Sequence, residues 1–513
     1  MDSQLKKPPY LMIVILFVGT FVAFLNNTLL NVALPTIMVD FDVSYSLVQW
    51  LSTGYMLVSG ILIPASAYFI TKFKTRPLFI VAMALFAIGT ILAAFSPTFG
   101  VLLAGRMIQA VGASVMSPLL MNTMLISFPI EKRGAAMGIF GLVMIAAPAI
   151  GPTLSGFLVE HYDWHILFEM IIPFAIISLI LSVWKLENVL PNRPVTLDYL
   201  SIVLSSIGFG GLLYGFSMSG EKGWSDPWVY GTIIIGVIGI AAFIMRQLRL
   251  EDPLLDLDVF KHPMFALGTV ISAVLSMALM AGMILTPAYV QSVRGIDPFK
   301  AGLMMLPGAL VMAFMSPITG KLFDKVGPRI LAVIGLIITT IATYFLSLMT
   351  LETSITVIVI IYTVRMFGIS LVMMPIMTNG LNQLPGRLNP HGTATNNTIQ
   401  QVAGSIGTAI LVSIMNTHAK SVGEDLAAQA ATNQTAPMGE EQLVALKAQI
   451  GQQALLEGIQ FSFLVATGIT FLAFVLSLFL KRVRVEHAMN QKPESVKQEP
   501  DQNQNVKQKP KTI

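Results

Sequence analysis

Within Leu102 to Ser114, LLAGRMIQAVGAS, an arginine and a glutamine stand in a run otherwise suited to hydrocarbon. A charged side chain at such a depth costs roughly 2.5–3.5 kcal/mol on insertion scales, so it faces a partner or a water-filled cavity rather than lipid. Arg106 is therefore a candidate functional residue; the plainer alternative is an arginine that only staples helices through carbonyl hydrogen bonds. Glu169, in WHILFEMIIPF, is the carboxylate found well inside an apolar run, about five residues from its outer end, or roughly 7–8 Å at 1.5 Å per residue. Desolvation raises a carboxylate's pKa and a nearby cation lowers it, so a Glu169 beside Arg106 titrates in a range useful for carrying a proton. Glu169 and Arg106 are the predicted proton-coupling pair. The alternative for Glu169 is an interfacial glutamate solvated by headgroups or paired with His165.

Small-molecule sites are mostly apolar with a few convergent polar groups. The polar residues placed to line one are Asn26, Asn27, Asn31, Gln109, Asn122, Arg365, Asn379, Asn396, Asn397 and Gln400. Flexible thioethers such as Met280, Met283, Met304 and Met305 suit a promiscuous pocket, although most methionines in such a chain are filler. In GIFGLVMIAAPAIGPTLSG, Gly138, Gly141, Gly151 and Gly156 recur on a small-residue spacing that permits close helix approach, while Pro148 and Pro152 free carbonyls and bend the helix. Gly138, Pro148, Gly151, Pro152 and Gly156 are the predicted hinge, against tight packing alone. The chain has no cysteine, so disulfides, thiol nucleophiles and thiol-bound metals are excluded, and no metal site is expected.

These residues need elements to hold them. Of 513 residues, 55% are hydrophobic and 11% charged, and the mean hydropathy is +0.75. That balance belongs to an integral membrane protein. Apolar runs of about 20 residues, enough to cross a ~30 Å core as helices, recur along the chain. The fold is expected to be all-α with fourteen transmembrane spans: 10-34, 48-70, 78-96, 99-123, 136-159, 166-184, 198-218, 228-247, 264-290, 301-320, 329-350, 354-379, 393-416 and 459-480. The first is too long for a signal-peptide core and reads as a retained helix. Alternate connections carry Lys6 and Lys7; Lys72, Lys74 and Arg76; Lys132 and Arg133; Lys185 and Arg193; Arg246, Arg249 and Lys261; and Lys321, Lys325 and Arg329. The opposite short connections hold only Lys222, Arg294 and Lys300. This asymmetry puts the first set, and both termini, in the cytoplasm of a multi-pass cell-membrane protein. It also explains the net charge of +4 without nucleic acid.

Laying Pro64 on Pro317 aligns PASAYFITKFKTRPL with PITGKLFDKVGPRIL without a gap, matching Lys72 with Lys325 and Arg76 with Arg329. The chain then divides into a cytoplasmic N-terminus (1-9), a six-helix half (10-184), two inserted helices (198-247), a second six-helix half (264-480) and a tail (481-513) too polar to fold. Residues 417-458 read as an outside loop whose second part, from Glu440, has helical spacing. Paired six-helix halves that hold substrate near the midplane are a transporter plan, and Arg106 and Arg365 occupy corresponding helices of the two.

These residues resemble the major facilitator superfamily, and within it the fourteen-span drug:proton antiporters of the EmrB/QacA type. GKLFDKVGPR, Gly320 to Arg329, matches the cytoplasmic loop motif, and Asp324, Lys325, Gly327 and Arg329 are expected to latch that loop to neighbouring helix ends. LLAGRMIQAVGAS is similar to the fourth-span motif whose arginine the family links to proton transfer. Gly138 to Gly156 is similar to the fifth-span motif of exporters, with Ala147 and Ser155 where glycine is usual. LNNTLLNVALP, Leu25 to Pro35, resembles the first-span signature, and His391 to Gly407 the penultimate helix. The resemblance implies multidrug efflux and antibiotic resistance: export of amphipathic, cationic or zwitterionic compounds by a monomer using alternating access. It implies no cofactor, with the proton gradient as energy source. The departures bear on coupling. Asn26 stands where the family signature carries aspartate, and Thr71 and Lys74 replace the acid and glycine of the first-half loop motif.

Other classes fare worse. A phosphate-cradling GxxxxGK[ST] loop is missing, since TGKL at 319-322 lacks the leading glycine and the hydroxyl. A hydrolase lacks an aligned nucleophile and base. A receptor or scaffold does not need buried arginines in both halves. The serious rival is a facilitator or lipid or metabolite exporter of the same fold without proton coupling, which Asn26 favours.

Overall fold

The computed structural model describes residues 10-43, 45-190, 192-433 and 440-483. Among them every regular element is helical. The first half comprises α1 (Tyr10–Asp40), α2 (Tyr45–Lys72), α3 (Thr75–Ala94), α4 (Phe99–Ser127), α5 (Arg133–His161), α6 (Ile166–Glu169) and α7 (Ile171–Lys185). Next come α8 (Tyr199–Lys222) and α9 (Pro227–Gln247). The second half runs through α10 (Pro263–Ala288), α11 (Pro298–Val326), α12 (Pro328–Leu346), α13 (Ile355–Ser370), α14 (Met373–Asn382), α15 (Asn389–Asn433) and α16 (Glu440–Ser477).

Thirteen segments among the described residues are long and apolar enough to span a bilayer, with α6 and α7 forming one and α13 and α14 another. The remaining expected span, 136-159, falls on the 29-residue α5. Small residues let these helices approach closely. A Cβ on Gly89 of α3 would lie 2.6 Å from Gln109 N and Gly105 O of α4, so only glycine fits where α3 crosses the helix that carries Arg106.

The two halves meet along two seams: α5 packs along α11, and α2 packs against α15. The inserted helices pair with each other, and α8 lies on both α2 and α15. There Trp224 Nε1 donates to Ser413 Oγ of α15 at 2.6 Å, and the rings of Trp50 and Tyr214 stand 5.8 Å apart. At the end of the molecule that carries the basic connections, the core of the first half continues into Met374, Met377, Leu381 and Leu384 of the second.

The expected outside loop 417-458 is corrected. Its described residues, 417-433 and 440-458, extend two helices: α15 runs 45 residues to Asn433, and α16 begins at Glu440. At 1.5 Å per residue α15 is about 67 Å long, twice a hydrocarbon core, so a helical hairpin stands beyond the opposite end. Its charged and alanine-rich sequence disguised a helix as a loop because span detection follows hydropathy alone. Gly423 packs on Ala454 within the hairpin, while Leu443 and Val444 are exposed. The expected termini, 1-9 and the tail beyond Val483, lie outside the described residues.

Candidate functional site

Arg106 is fully buried. Its Nε donates to Leu51 O at 3.3 Å, one terminal nitrogen to Gln109 Oε1 at 2.9 Å, and the other to Asn27 Oδ1 at 3.2 Å. The guanidinium also lies 4.4 Å from the Tyr55 ring centroid, a cation–π contact that gains strength where water is excluded. Gln109 extends the network, donating to Thr90 Oγ1 at 2.9 Å and accepting from Asn26 Nδ2 at 3.1 Å. Arg106 and Gln109 are three positions apart, less than one helical turn, so α4 turns both toward α1. Among the described residues, the arginine is held by neutral oxygens and an aromatic face.

The expected partner of Arg106 is corrected. Glu169 is exposed at the end of the short α6 and is absent from the Arg106 shell. The run HYDWHILFEM breaks the helix: Asp163 accepts from His165 N at 2.9 Å, and Trp164 Nε1 donates to Asp40 at 3.1 Å. Glu169 closes α6 with its side chain on the surface of the molecule instead of within it. Outside the spans, the bonds from His165 hold the Asp163 carboxyl below its ordinary range. The side chains buried among the described residues include Arg106 and Arg365 and no carboxylate.

Arg365 mirrors Arg106 in the second half. It is fully buried, and its Nε donates to Thr343 Oγ1 at 3.1 Å while one terminal nitrogen donates to Ala278 O. The other terminal nitrogen has no partner and presses on Gly282, where a Cβ would overlap the guanidinium.

The remaining predicted pocket residues separate. Asn26, Asn27 and Gln109 belong to the Arg106 network. Asn122 is buried and bonds Pro118 O of its own helix at 2.8 Å, leaving its Oδ1 unpartnered. Asn379 is corrected: it donates to Lys481 O and accepts from Val483 N, both at 3.1 Å, so its amide is committed to the backbone at the basic end instead of to a pocket. Asn396 and Gln400 are buried or half-buried on α15 with unpartnered amide nitrogens, and Asn397 is half-buried. The side chain of Asn31 lies outside the described residues.

On α5, Gly151 packs on Thr28 of α1, and a Cβ at Gly138 would stand 2.6 Å from Ser316 O of α11. Ser316 Oγ donates to Gly138 O at 2.9 Å. A Cβ at Gly156 would stand 3.2 Å from the Phe299 ring of α11. Pro148 and Pro152 fall within α5, and their side chains lie outside the described residues.

At the basic end, Asp324 of α11 accepts from Gly134 N and Ala135 N, each at 3.0 Å. A carboxylate from one half thus caps the α5 N-terminus of the other, where the helix dipole favours negative charge. Gly327 turns α11 into α12 with φ +83°, a left-handed conformation that favours glycine. The side chains of Lys325 and Arg329 are exposed and take no part in the ion pairs found among the described residues. Their expected latching role is corrected: Arg482 acts there, donating to Asp324 O at 2.6 Å and Lys325 O at 3.1 Å, and Arg133 donates to Asn382 Oδ1 at 3.2 Å. Sequence reasoning gave Arg482 no role. Tyr55 and Thr90 left no trace, because an aromatic or hydroxyl residue in an apolar span is unremarkable.

A model of the Major Facilitator Superfamily matches residues 16–408. The chain is 50% identical to the uncharacterized MFS-type transporter YhcA of Bacillus subtilis (strain 168), over 80% of this chain and 77% of that protein. It is 42% identical to the lincomycin resistance protein LmrB of the same organism, over 94% of this chain and 98% of that protein. Among solved structures, the human organic anion transporter MFSD10 (TETRAN) superposes with a TM-score of 0.64 at 14% identity, covering 92% of this chain and all of that one. That likeness concerns the fold.

Proposed function

The chain belongs to the Major Facilitator Superfamily, and we propose that it is a drug exporter of the fourteen-span type, working by alternating access. It is a membrane transporter and not an enzyme. The observation that carries the reading is the joint between halves at the basic end, where Asp324 of one half caps α5 of the other and glycines line the α5–α11 seam. Small contacts of this kind close one end and are broken without unfolding either half. Similarity to a lincomycin resistance protein along nearly the whole chain supports small drug-like amphipathic substrates. We place both termini in the cytoplasm, from the basic connections, and take the monomer as the working unit.

Proton antiport needs a titrating group that alternation offers to each side in turn. Glu169 is exposed, and the buried set among the described residues holds no carboxylate. That favours the second reading, in which export is not coupled through an intramembrane acid. Purified protein in liposomes, with an imposed pH gradient and ethidium as substrate, separates the two. Ethidium movement with no substrate-dependent proton flux supports the second reading; proton flux that appears only with substrate restores antiport. No movement of ethidium or of lincomycin counts against the exporter.

A further inference from the structure

On α15 the residues Asn389, Thr393, Asn396 and Gln400 follow one another at steps of four, three and four, a single stripe along one face of a helix. Asn389, Thr393 and Asn396 are buried. Each of the four has an unpartnered polar atom: Asn389 Oδ1, Thr393 Oγ1, Asn396 Nδ2 and Gln400 Nε2. The face is fixed by its neighbours, because Gly392, Gly404 and Gly407 on the same side meet Phe265, Met280 and Met277 of α10. The adjoining face of α10 is polar too, with Thr269, Ser272 and Ser276 buried and Ser272 Oγ unpartnered. Thr378 Oγ1 of α14 is likewise unpartnered.

Buried polar atoms are nearly always paired with protein or ordered water. A row of single unpaired donors and acceptors between two helices, spaced by helical turns, is the lining that a file of hydrogen-bonded water needs. The stripe begins at the basic end, at Asn389, and climbs eleven residues to Gln400, about 16 Å at 1.5 Å per residue, or half of a ~30 Å core. We propose that the α10–α15 seam holds a file of water reaching from the basic end to mid-membrane, and that its upper end, at Asn396 and Gln400, receives the polar group of the transported compound. The first clause stands without the exporter reading. The second rests on it.

The natural absence of cysteine supplies the test. Single cysteines at Asn389, Thr393, Asn396 and Gln400 are placed in protein reconstituted in liposomes and exposed to a charged methanethiosulfonate reagent at the basic end. The control is Thr398→Cys, on the opposite side of α15, where Thr398 bonds its own helix at Ala394 O. The proposal expects modification along the stripe at least tenfold faster than at Thr398→Cys. Equal rates at all five positions, or no modification of the stripe, overturn it. Radiolytic footprinting of the unsubstituted protein guards against misfolded variants: Met277 and Met280, beside the file, are oxidised ahead of Met366 in the apolar core of the second half, and the reverse order overturns the water file. Ethidium is expected to slow modification at Asn396→Cys and Gln400→Cys by about tenfold and leave Asn389→Cys unchanged. Ethidium transport without protection overturns the substrate clause alone; modification of the stripe in a protein that transports nothing leaves the file standing and removes the exporter reading.

Discussion

Replacing Asp324 with asparagine tests whether the carboxylate cap holds the basic end shut. The carboxylate uses both oxygens, Oδ1 to Gly134 N and Oδ2 to Ala135 N, each at 3.0 Å. Asparagine keeps one acceptor and turns an NH2 donor toward the second N–H, so one charge-assisted bond is lost. Such bonds contribute about 1.5–3 kcal/mol, and about 1.4 kcal/mol is a factor of ten. The closed-to-open ratio should therefore fall about ten- to a hundredfold, taking a ~1% open population to between ~10% and ~50%. Spin labels on Lys132→Cys and Lys321→Cys, both exposed on either side of the joint, report the distance by double electron–electron resonance. A new long-distance population in Asp324→Asn is expected. An unchanged distance distribution in a folded variant would refute the capping argument.

Asn26→Asp places a carboxylate next to Gln109, the residue that Arg106 also bonds; ethidium export should become dependent on the pH gradient, read as substrate-dependent proton flux in liposomes. Glu169→Gln should leave transport within about twofold of the parent, since the side chain is exposed and unconnected to Arg106; loss of pH-gradient-driven transport would return it to the coupling site. Asp198 caps α8 through Ser201 N, and the hydrogen bond from Arg246 depresses its pKa to about 2. A carboxyl held below its unfolded value contributes stability that is complete above about pH 4 and lost as pH falls toward 2. Melting temperatures should drop across that window in the parent and less so in Asp198→Asn.

The spans and the pairing of halves were legible because hydropathy and basic loops are written residue by residue. Arg106 and Gln109 stood out for the same reason: polarity in an apolar run needs partners. What the sequence hid was direction. Glu169 looked deep because its distance from a span end was taken as burial, whereas position along a span does not say which face of the helix a side chain takes, and Glu169 is exposed. Asn379 was grouped with the pocket by its polarity, although it closes its span at the basic end, where its amide is taken up by the backbone of Lys481 and Val483. The hairpin of α15 and α16 was invisible to hydropathy, because a helix standing in water is polar. Arg482 could be identified as basic but not as a cap, because its acceptors are backbone oxygens, which every sequence possesses equally.

The two seams between the halves differ in what must move. Along α2–α15, α8 packs across both partners, and large groups such as Trp224 bridge to α15; motion there has to carry the inserted helices. Along α5–α11 the backbones themselves touch, with Gly134 and Gly138 against Gly320 and Ser316, so separation breaks few side-chain contacts. Gly320→Ala puts a Cβ into Gly134 O, which is backbone and has nowhere to turn. The seam must part at the basic end, and the spin-label pair should report the long distance without substrate. Gly208→Ala provides the contrast: its Cβ would stand 2.8 Å from Ile240 N, within the α8–α9 pair, and should lower the melting temperature while the label distance stays short. If Gly320→Ala stays closed, or if both variants open alike, the α5–α11 seam is not the element that alternates.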